Sequence, residues 1–141
     1  MSLRYLLDTN VVSAPLAKRP DPQTVGWLER EGPACALPAP AWHEMVFGGA
    51  RLPESRRRRE IEEYLSEVVR RSFPILPYDE TAAAWLGRER ARLEALGRSL
   101  PHVDGQIAAI AATRGLTLVT WNRRDFEAYE GLVVIEPILG G

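Results

Sequence analysis

The length, composition and charge of the chain exclude several classes of protein. Its 141 residues fit one domain of ordinary size, and its 45% hydrophobic and 26% charged residues are typical of a globular protein with a net charge of -1. A single cysteine, Cys35, excludes an intramolecular disulfide, and one cysteine with two histidines excludes a Cys/His zinc site. No apolar run reaches the length of a membrane span and no signal peptide is recognisable, so we expect a cytoplasmic protein.

The first half of the chain alternates apolar runs with segments of helical periodicity. Proline can begin a helix because its fixed backbone angle suits the first turn, and glycine tends to end one. The predicted elements are a strand at 3–7, a helix at 11–17, a helix from Pro22 to Gly32, a strand at 35–37, a helix that begins at Pro38 and weakens at Gly48, and a longer helix at 54–72 opened by Pro53.

The second half of the chain continues the same alternation. Its predicted elements are an extended segment at 73–76, a helix capped by Asp79 and stopped by Gly97 whose inward face includes Leu96, an alanine-rich helix from 103 to Gly115, a strand at 116–120, a short helix at 122–129 and a strand at 132–135. The strands are apolar without polar alternation, as in a sheet covered on both faces. We therefore predict an α/β fold with a mostly parallel central sheet flanked by helices.

Three of the five aspartates stand where predicted strands end or helices begin. Asp8 ends the first strand, Asp125 follows the strand at 116–120, and Asp104 lies in the first turn of the alanine-rich helix. Ligands of open parallel sheets bind beyond the carboxyl ends of the strands, so at least two of these carboxylates are expected on one rim. Taken singly, each has a simpler interpretation as a helix cap or a partner of the helix dipole.

Glu44 is a fourth candidate, because it stands among apolar residues of the helix that begins at Pro38. Its neighbours include Trp42, Met45 and Phe47, and burying a carboxylate without a partner is costly. The simpler interpretation is that Glu44 lies on a solvent-exposed face.

A cluster of such carboxylates favours metal chemistry. Carboxylates within a few ångströms of each other repel, and a divalent cation removes the conflict. Ligands that are all oxygen favour Mg²⁺ or Mn²⁺ over zinc. A bound ion of this kind lowers the pKa of water and offsets charge on a phosphate, which points to phosphodiester hydrolysis.

Taken in chain order, the segments that carry these acids resemble the PIN-domain family, and most closely its VapC toxins of bacterial and archaeal toxin–antitoxin pairs. The resemblance runs from Tyr5 to about Ile135. Its motifs are LLDTNVV around Asp8, WHEMVFG around Glu44, PHVDGQIAAIA around Asp104 and LVTWNRRDF around Asp125.

This resemblance implies a single PIN domain over residues 1–141, with a Rossmann-like three-layer fold. It also implies an endoribonuclease dependent on Mg²⁺ or Mn²⁺ that cleaves structured RNA, such as tRNA or ribosomal RNA, and inhibits translation and growth. Asp8, Asp104 and Asp125 would hold the metal, directly or through water, and Glu44 would complete its shell or orient the attacking water. The side chains implied to steady the carboxylates are Thr9, Thr120 and Asn122.

The family resemblance further implies a homodimer and a cognate VapB-type antitoxin that covers the active groove. An alternative is a PIN-fold module that binds RNA without cutting it, although four intact acids argue against lost catalysis. A phosphatase that forms an aspartyl-phosphate is a third possibility, but Asn10 stands where it needs a second aspartate. His43, His102 and Trp121 depart from the commonest family pattern without removing a carboxylate.

A run of four arginines, Arg56 to Arg59, is the other prominent feature of a chain whose basic residues are almost all arginine. The helical spacing favours a solvated face with ion pairs from Arg56 to Glu60, Arg58 to Glu62 and Arg59 to Glu63. The alternative is a patch that contacts RNA or an antitoxin, together with Arg51 and Arg123.

Overall fold

The fold is built on one parallel sheet whose first strand lies at its centre. A computed structural model describes residues 2–139. Within that range the strands are β1 (Tyr5–Leu7), β2 (Cys35–Pro38), β3 (Ile75–Leu76), β4 (Thr117–Val119) and β5 (Val134–Ile135). Their order is β3-β2-β1-β4-β5, and every neighbouring pair is parallel. The sequence-based prediction of a mostly parallel α/β sheet is therefore confirmed.

Helices connect the strands and cover both faces of the sheet. They are α1 (Thr9–Val12), α2 (Pro22–Glu31), α3 (Ala39–Ala50), α4 (Arg56–Glu63), α5 (Arg70–Ser72), α6 (Glu80–Ala95) and α7 (His102–Thr113). A π-helical stretch, Tyr64–Val69, joins α4 to α5, and single 3₁₀ turns form at Ala14–Leu16, Gly32–Ala34 and Arg123–Phe126. Every helix in the described range is too short or too polar to cross a membrane.

Consecutive strand residues point to opposite faces, which produces two separate cores. Leu6 and Leu118 pack with α6 and α7 on one face, whereas Leu7 and Val119 pack with α1 to α4 and the π-helical stretch on the other. All four side chains are completely buried. The two cores explain why the strand sequences are apolar throughout instead of alternating.

The strand order creates a switch point between β1 and β4. After β1 the chain crosses to β2 on one side, whereas β4 pairs with β1 on the other side, with Leu7 opposite Val119. The Asp8 amide donates to the carbonyl oxygen of Val119 at 3.0 Å, which keeps the two strand ends together. A crevice at the carboxyl ends of strands beside such a switch point is the usual ligand site of an open parallel sheet.

Several predicted boundaries differ from the structure for identifiable reasons. The helix predicted at 11–17 stops at Val12, because Pro15 lacks an amide donor and its ring would clash with a helical carbonyl. The helix predicted from Pro53 begins at Arg56, because the Ser55 hydroxyl accepts from the Arg58 amide and caps it.

Three further predictions differ from the structure in the length of a helix or in the burial of a residue at its end. The helix predicted to weaken at Gly48 continues to Ala50, and the short helix at 122–129 is only a 3₁₀ turn. The prediction that Leu96 faces inward is wrong, since Leu96 follows the last residue of α6 and is 65% exposed. Cys35, the single cysteine, is buried in β2.

Gly105 sets how closely the amino end of α7 approaches its neighbours. A Cβ atom there would lie 2.8 Å from Leu86 Cδ1 and 3.1 Å from the Tyr129 hydroxyl oxygen. Gly87, on the exposed face of α6, has open space around it. Both glycines lie within helices, but only at Gly105 would an added Cβ atom meet neighbouring side chains.

We predict that Gly105→Ala lowers the free energy of unfolding by about 1–2 kcal/mol, because the overpacking outweighs the gain in helix propensity. Gly87→Ala should raise it by about 0.5–1 kcal/mol, since only the helix propensity changes. Urea unfolding followed by circular dichroism measures both. A stabilising Gly105→Ala would show that α7 is not tightly seated here.

Candidate active site

Asp8 is a buried carboxylate at the carboxyl end of β1. Its side chain is 8% exposed and also caps α1 by accepting from the Thr9 amide at 2.8 Å. The other carboxylate oxygen of Asp8 accepts from the Thr120 hydroxyl at 2.7 Å. Burial raises the pKa of Asp8, the hydrogen bonds from Thr120 and Thr9 oppose that rise, and the nearby charge of Asp125 adds to it. Asp8 is thus held in place by donors from both strand ends.

Thr120 and Asn10 connect the two loops that leave β1 and β4. The buried Thr120 hydroxyl donates to Asp8 and accepts from the Asn122 amide at 3.0 Å. The Asn10 amide group donates to Thr120 at 3.3 Å and to Asp8 at 3.4 Å, while its carbonyl oxygen accepts from the Trp121 backbone amide at 3.2 Å. This network fixes the orientation of the Asp8 carboxylate.

Asp104 approaches the site from the first turn of α7 and is half-buried. Burial, followed by the charges of Asp8 and Asp125, raises the pKa of Asp104 to about 6. The three aspartates therefore lie within electrostatic reach of one another, although they are far apart in the sequence. This is the grouping that their positions at strand ends and a helix start predict.

Asp125 and Glu44 are the exposed members of the predicted set. The Asp125 amide donates to the carbonyl oxygen of Asn122 at 3.0 Å, and the buried Phe126 anchors the turn. Glu44 is exposed on α3 and is absent from the charges that shift the pKa values of Asp8 and Asp104. Glu44 therefore does not contribute to the raised pKa values of these aspartates, and its apolar sequence neighbours do not bury it.

Glu44 nevertheless faces the same end of the molecule as Asp8. It lines a groove of about 750 Å³, here called the Glu44 groove, whose walls include Thr9, Asn10, Arg51 and Trp121. A second groove of about 490 Å³, the Asp125 groove, is lined by Trp121, Arg123, Arg124 and Asp125. The two grooves meet at Trp121.

The supporting residues predicted from the sequence contribute in different ways. Thr120 acts through its hydroxyl, whereas Thr9 and Asn122 donate through backbone amides. Sequence reasoning missed Asn10 as a supporting residue and considered it only as a helix cap and as a departure from a phosphatase motif. Its place two residues after a strand-end aspartate was the available signal.

The arginine run is mostly paired with acids of its own helix. The ion pairs that form, at up to 3.5 Å, are Arg56–Glu60, Arg57–Glu60 and Arg58–Glu62. Within residues 2–139 the expected pair of Arg59 with Glu63 does not form. The helix-face interpretation therefore explains most of the run, and only Arg57 also reaches the Glu44 groove.

The donor set fits a divalent cation in chemistry and charge. None of the ion pairs among residues 2–139 involves Asp8, Asp104 or Asp125, so their mutual repulsion has no positive side chain to offset it. In that same range no three acidic, histidine or cysteine side chains already surround a point where they would hold an ion together. Mg²⁺ commonly retains several waters and needs only one or two direct carboxylates, which an all-carboxylate set can supply.

Comparison with known proteins settles the family. The family model described as PIN domain matches residues 5–132. The chain belongs to the PIN-domain family.

Two curated relatives match over nearly the whole chain. The tRNA(fMet)-specific endonuclease VapC of Shigella flexneri is 32% identical over 132 residues, covering 92% of this chain and 95% of its own. Toxin FitB of Neisseria gonorrhoeae is 33% identical over 137 residues, covering 94% and 96%.

Solved structures confirm the PIN fold. FitAcB from Neisseria gonorrhoeae superposes with a TM-score of 0.85 at 32% identity, covering 94% of this chain and 97% of that one. VapBC-5 from Mycobacterium tuberculosis, described as a member of the VapBC family of toxin–antitoxin systems, superposes with a TM-score of 0.66 at 26% identity, covering 96% of both. The resemblance inferred from the sequence motifs, to a PIN domain of the VapC type, is confirmed.

The raised pKa of Asp104 predicts a particular dependence of stability on pH. The folded protein binds a proton at Asp104 more tightly than the unfolded chain, because the pKa rises from 3.8 to about 6. The associated stability is therefore fully present below pH 3.8 and is lost as the pH rises through about 6.

Asp104→Asn should accordingly stabilise the metal-free protein at pH 7.5 but not at pH 4. Solvent screening of a half-buried carboxylate limits the gain to on the order of 1 kcal/mol. Urea unfolding in EDTA at both pH values, beside the wild type, measures it. An equal effect of the substitution at the two pH values would contradict the raised pKa of Asp104.

Proposed function

We propose that this chain is a metal-dependent endoribonuclease, the toxin of a VapBC-type toxin–antitoxin module. The observation that carries the proposal is the group of three aspartates, Asp8, Asp104 and Asp125, which meet at the β1–β4 switch point without a positive partner. Their position in a PIN domain whose curated relatives include an endonuclease and a toxin supports the same activity.

In this proposal Asp8, Asp104 and Asp125 hold Mg²⁺ or Mn²⁺, directly or through water. The ion would supply water of lowered pKa and positive charge opposite the phosphate. Thr120 and the Thr9 amide keep the Asp8 carboxylate oriented. Glu44, across the adjoining groove, would order the water that approaches the phosphate.

The proposed substrate is structured RNA such as tRNA or ribosomal RNA, whose cleavage inhibits translation and growth. One relative bears the name of a tRNA-specific endonuclease, which supports this class. In this chain Arg123 and Arg124 line the Asp125 groove and make no ion pair with other residues in the described range. Guanidinium groups left free beside the acids can hold phosphates of an RNA backbone.

We further propose a cognate VapB-type antitoxin as the partner that silences the enzyme, and a homodimer as the working form. The similarity to a VapBC toxin–antitoxin structure supports the antitoxin. Copurification of the tagged chain with the product of an adjacent small gene tests the antitoxin proposal. Analytical ultracentrifugation tests the homodimer, and a monomer at micromolar concentration would contradict it.

Purified protein should cut total cellular RNA into discrete fragments with Mg²⁺ or Mn²⁺ and leave it intact with EDTA. Asp8→Ala and Asp104→Asn should each lower the cleavage rate at least about 100-fold, because the metal contributes several kcal/mol to the transition state. Gel electrophoresis of labelled RNA provides the rates.

A matched control is Asp79→Asn, which changes an aspartate that caps α6 away from the three acids. This variant should retain the wild-type cleavage rate. If Asp104→Asn cuts RNA at full rate with metal present, the site assignment is wrong. If the folded, antitoxin-free wild type cuts no RNA with either metal, the RNA-binding module becomes the better interpretation.

Thr120→Val should lower the cleavage rate about 10- to 100-fold while the protein stays folded, as is usual when a residue that supports a metal ligand is changed. The substitution preserves the buried volume but removes the hydroxyl that donates to Asp8. Thr113→Val is the control, because its hydroxyl bonds only the Ala109 carbonyl oxygen within α7. Unchanged rates in both variants would show that Asp8 needs no support from β4.

A further inference from the structure

Trp121 occupies the boundary between the two grooves beside the proposed catalytic acids. It follows Thr120 directly, and its backbone amide donates to Asn10, so its position is tied to the network around Asp8. Its side chain is half-buried against the core that Leu7 and Val119 form with α1 to α4, and it lines both the Glu44 groove and the Asp125 groove. An RNA strand that ran from one groove to the other past the acids would therefore pass this aromatic ring.

The edge of the indole is fixed by a chain of hydrogen bonds to α2. The buried Thr24 hydroxyl donates to Asp21 at 2.7 Å, and Asp21 caps the helix. Because this hydrogen is already committed, the Thr24 oxygen accepts from the indole nitrogen of Trp121 at 3.0 Å. The ring is consequently held in one orientation, which lowers the entropy lost when a planar ligand packs on it.

Cationic side chains lie in both grooves that meet at this ring. Arg51 lies in the Glu44 groove, and Arg123 and Arg124 lie in the Asp125 groove. Within residues 2–139 none of the three pairs with a carboxylate. The Arg51 guanidinium lies over the Phe47 ring, 5.9 Å from its centroid. A fixed aromatic ring beside guanidinium groups that have no carboxylate partner is the combination that binds a single nucleic-acid strand, the ring taking bases and the cations taking phosphates.

We propose that Trp121 stacks on a nucleobase next to the phosphate that is cut, and so positions an unpaired stretch of the RNA across the acids. This inference rests on the proposed ribonuclease function and specifies its substrate as RNA that presents at least one unstacked base at the cleavage site. Trp121 is then a specificity-determining residue, and Thr24 is the residue that positions it.

The test compares two fluorescently labelled 12-nucleotide RNAs, oligo(A) and an abasic chain with the same number of phosphates. Binding is measured by anisotropy at low salt, with every protein carrying Asp104→Asn to prevent cleavage. Trp121→Ala should weaken binding of oligo(A) about 10- to 100-fold and change binding of the abasic chain less than about twofold, since stacking needs a base and phosphate contacts do not.

Two further variants separate stacking from loss of packing. Trp121→Phe retains a ring and should recover most of the oligo(A) affinity, whereas Thr24→Val frees the indole and should weaken oligo(A) binding by an intermediate factor. Trp42→Ala is the matched control, because Trp42 is also half-buried against the same core but lines neither groove. It should leave the preference for oligo(A) unchanged.

The stacking role is overturned if the Asp104→Asn protein binds oligo(A) no tighter than the abasic chain, or if Trp121→Ala weakens both RNAs equally. Cleavage of total RNA by the protein without Asp104→Asn is measured in parallel. If RNA is cleaved in a metal-dependent way but Trp121 gives no preference for oligo(A) over the abasic chain, only the stacking role is wrong. If RNA is not cleaved, both the ribonuclease function and this inference are wrong.

Discussion

The burial and mutual repulsion of carboxylates at one point of the sheet are the constraint on which the rest of this structure depends. Burial is the main cause that raises the pKa of Asp8 at the end of β1 and of Asp104 on α7, and the charge of Asp125 adds to the rise in both. Repulsion between neighbouring carboxylates lowers the stability of the fold. Such repulsion is common at sites that bind a ligand able to neutralise it. The two apolar cores on either side of the sheet supply the stability that offsets this cost.

The hydrogen bonds around Asp8 also join the proposed metal site to the surface beside it. Thr120 and Asn10 bridge the loops after β4 and β1, and Trp121 extends the same network to Thr24 on α2. A displacement of any of these groups would change both the carboxylate and the surface beside it. The orientation of Asp8 and the position of Trp121 are thus linked through one set of contacts.

Much of the fold and the three aspartates could be predicted because their signals are local. An apolar strand followed by an aspartate, as at Asp8, is visible in a few consecutive residues, and parallel topology then brings strand ends together. The exposure of Glu44 was not predictable in the same way, since apolar residues surround it in the sequence and only packing shows which face of α3 is covered. The roles of Asn10 and Trp121 depend on contacts between residues about 110 positions apart, which no local pattern contains.

Metal binding by the isolated protein tests the central claim most directly. If the carboxylates repel one another until a divalent cation neutralises them, the metal-free protein should bind such an ion. Calorimetric titration of Mn²⁺ into metal-free wild type and Asp104→Asn at pH 7.5 measures the affinity of each without any RNA. We expect specific binding by the wild type that weakens at least about 10-fold in the variant, because a ligand carboxylate is lost. Equal affinities, or no binding by the wild type, would contradict the proposed metal site.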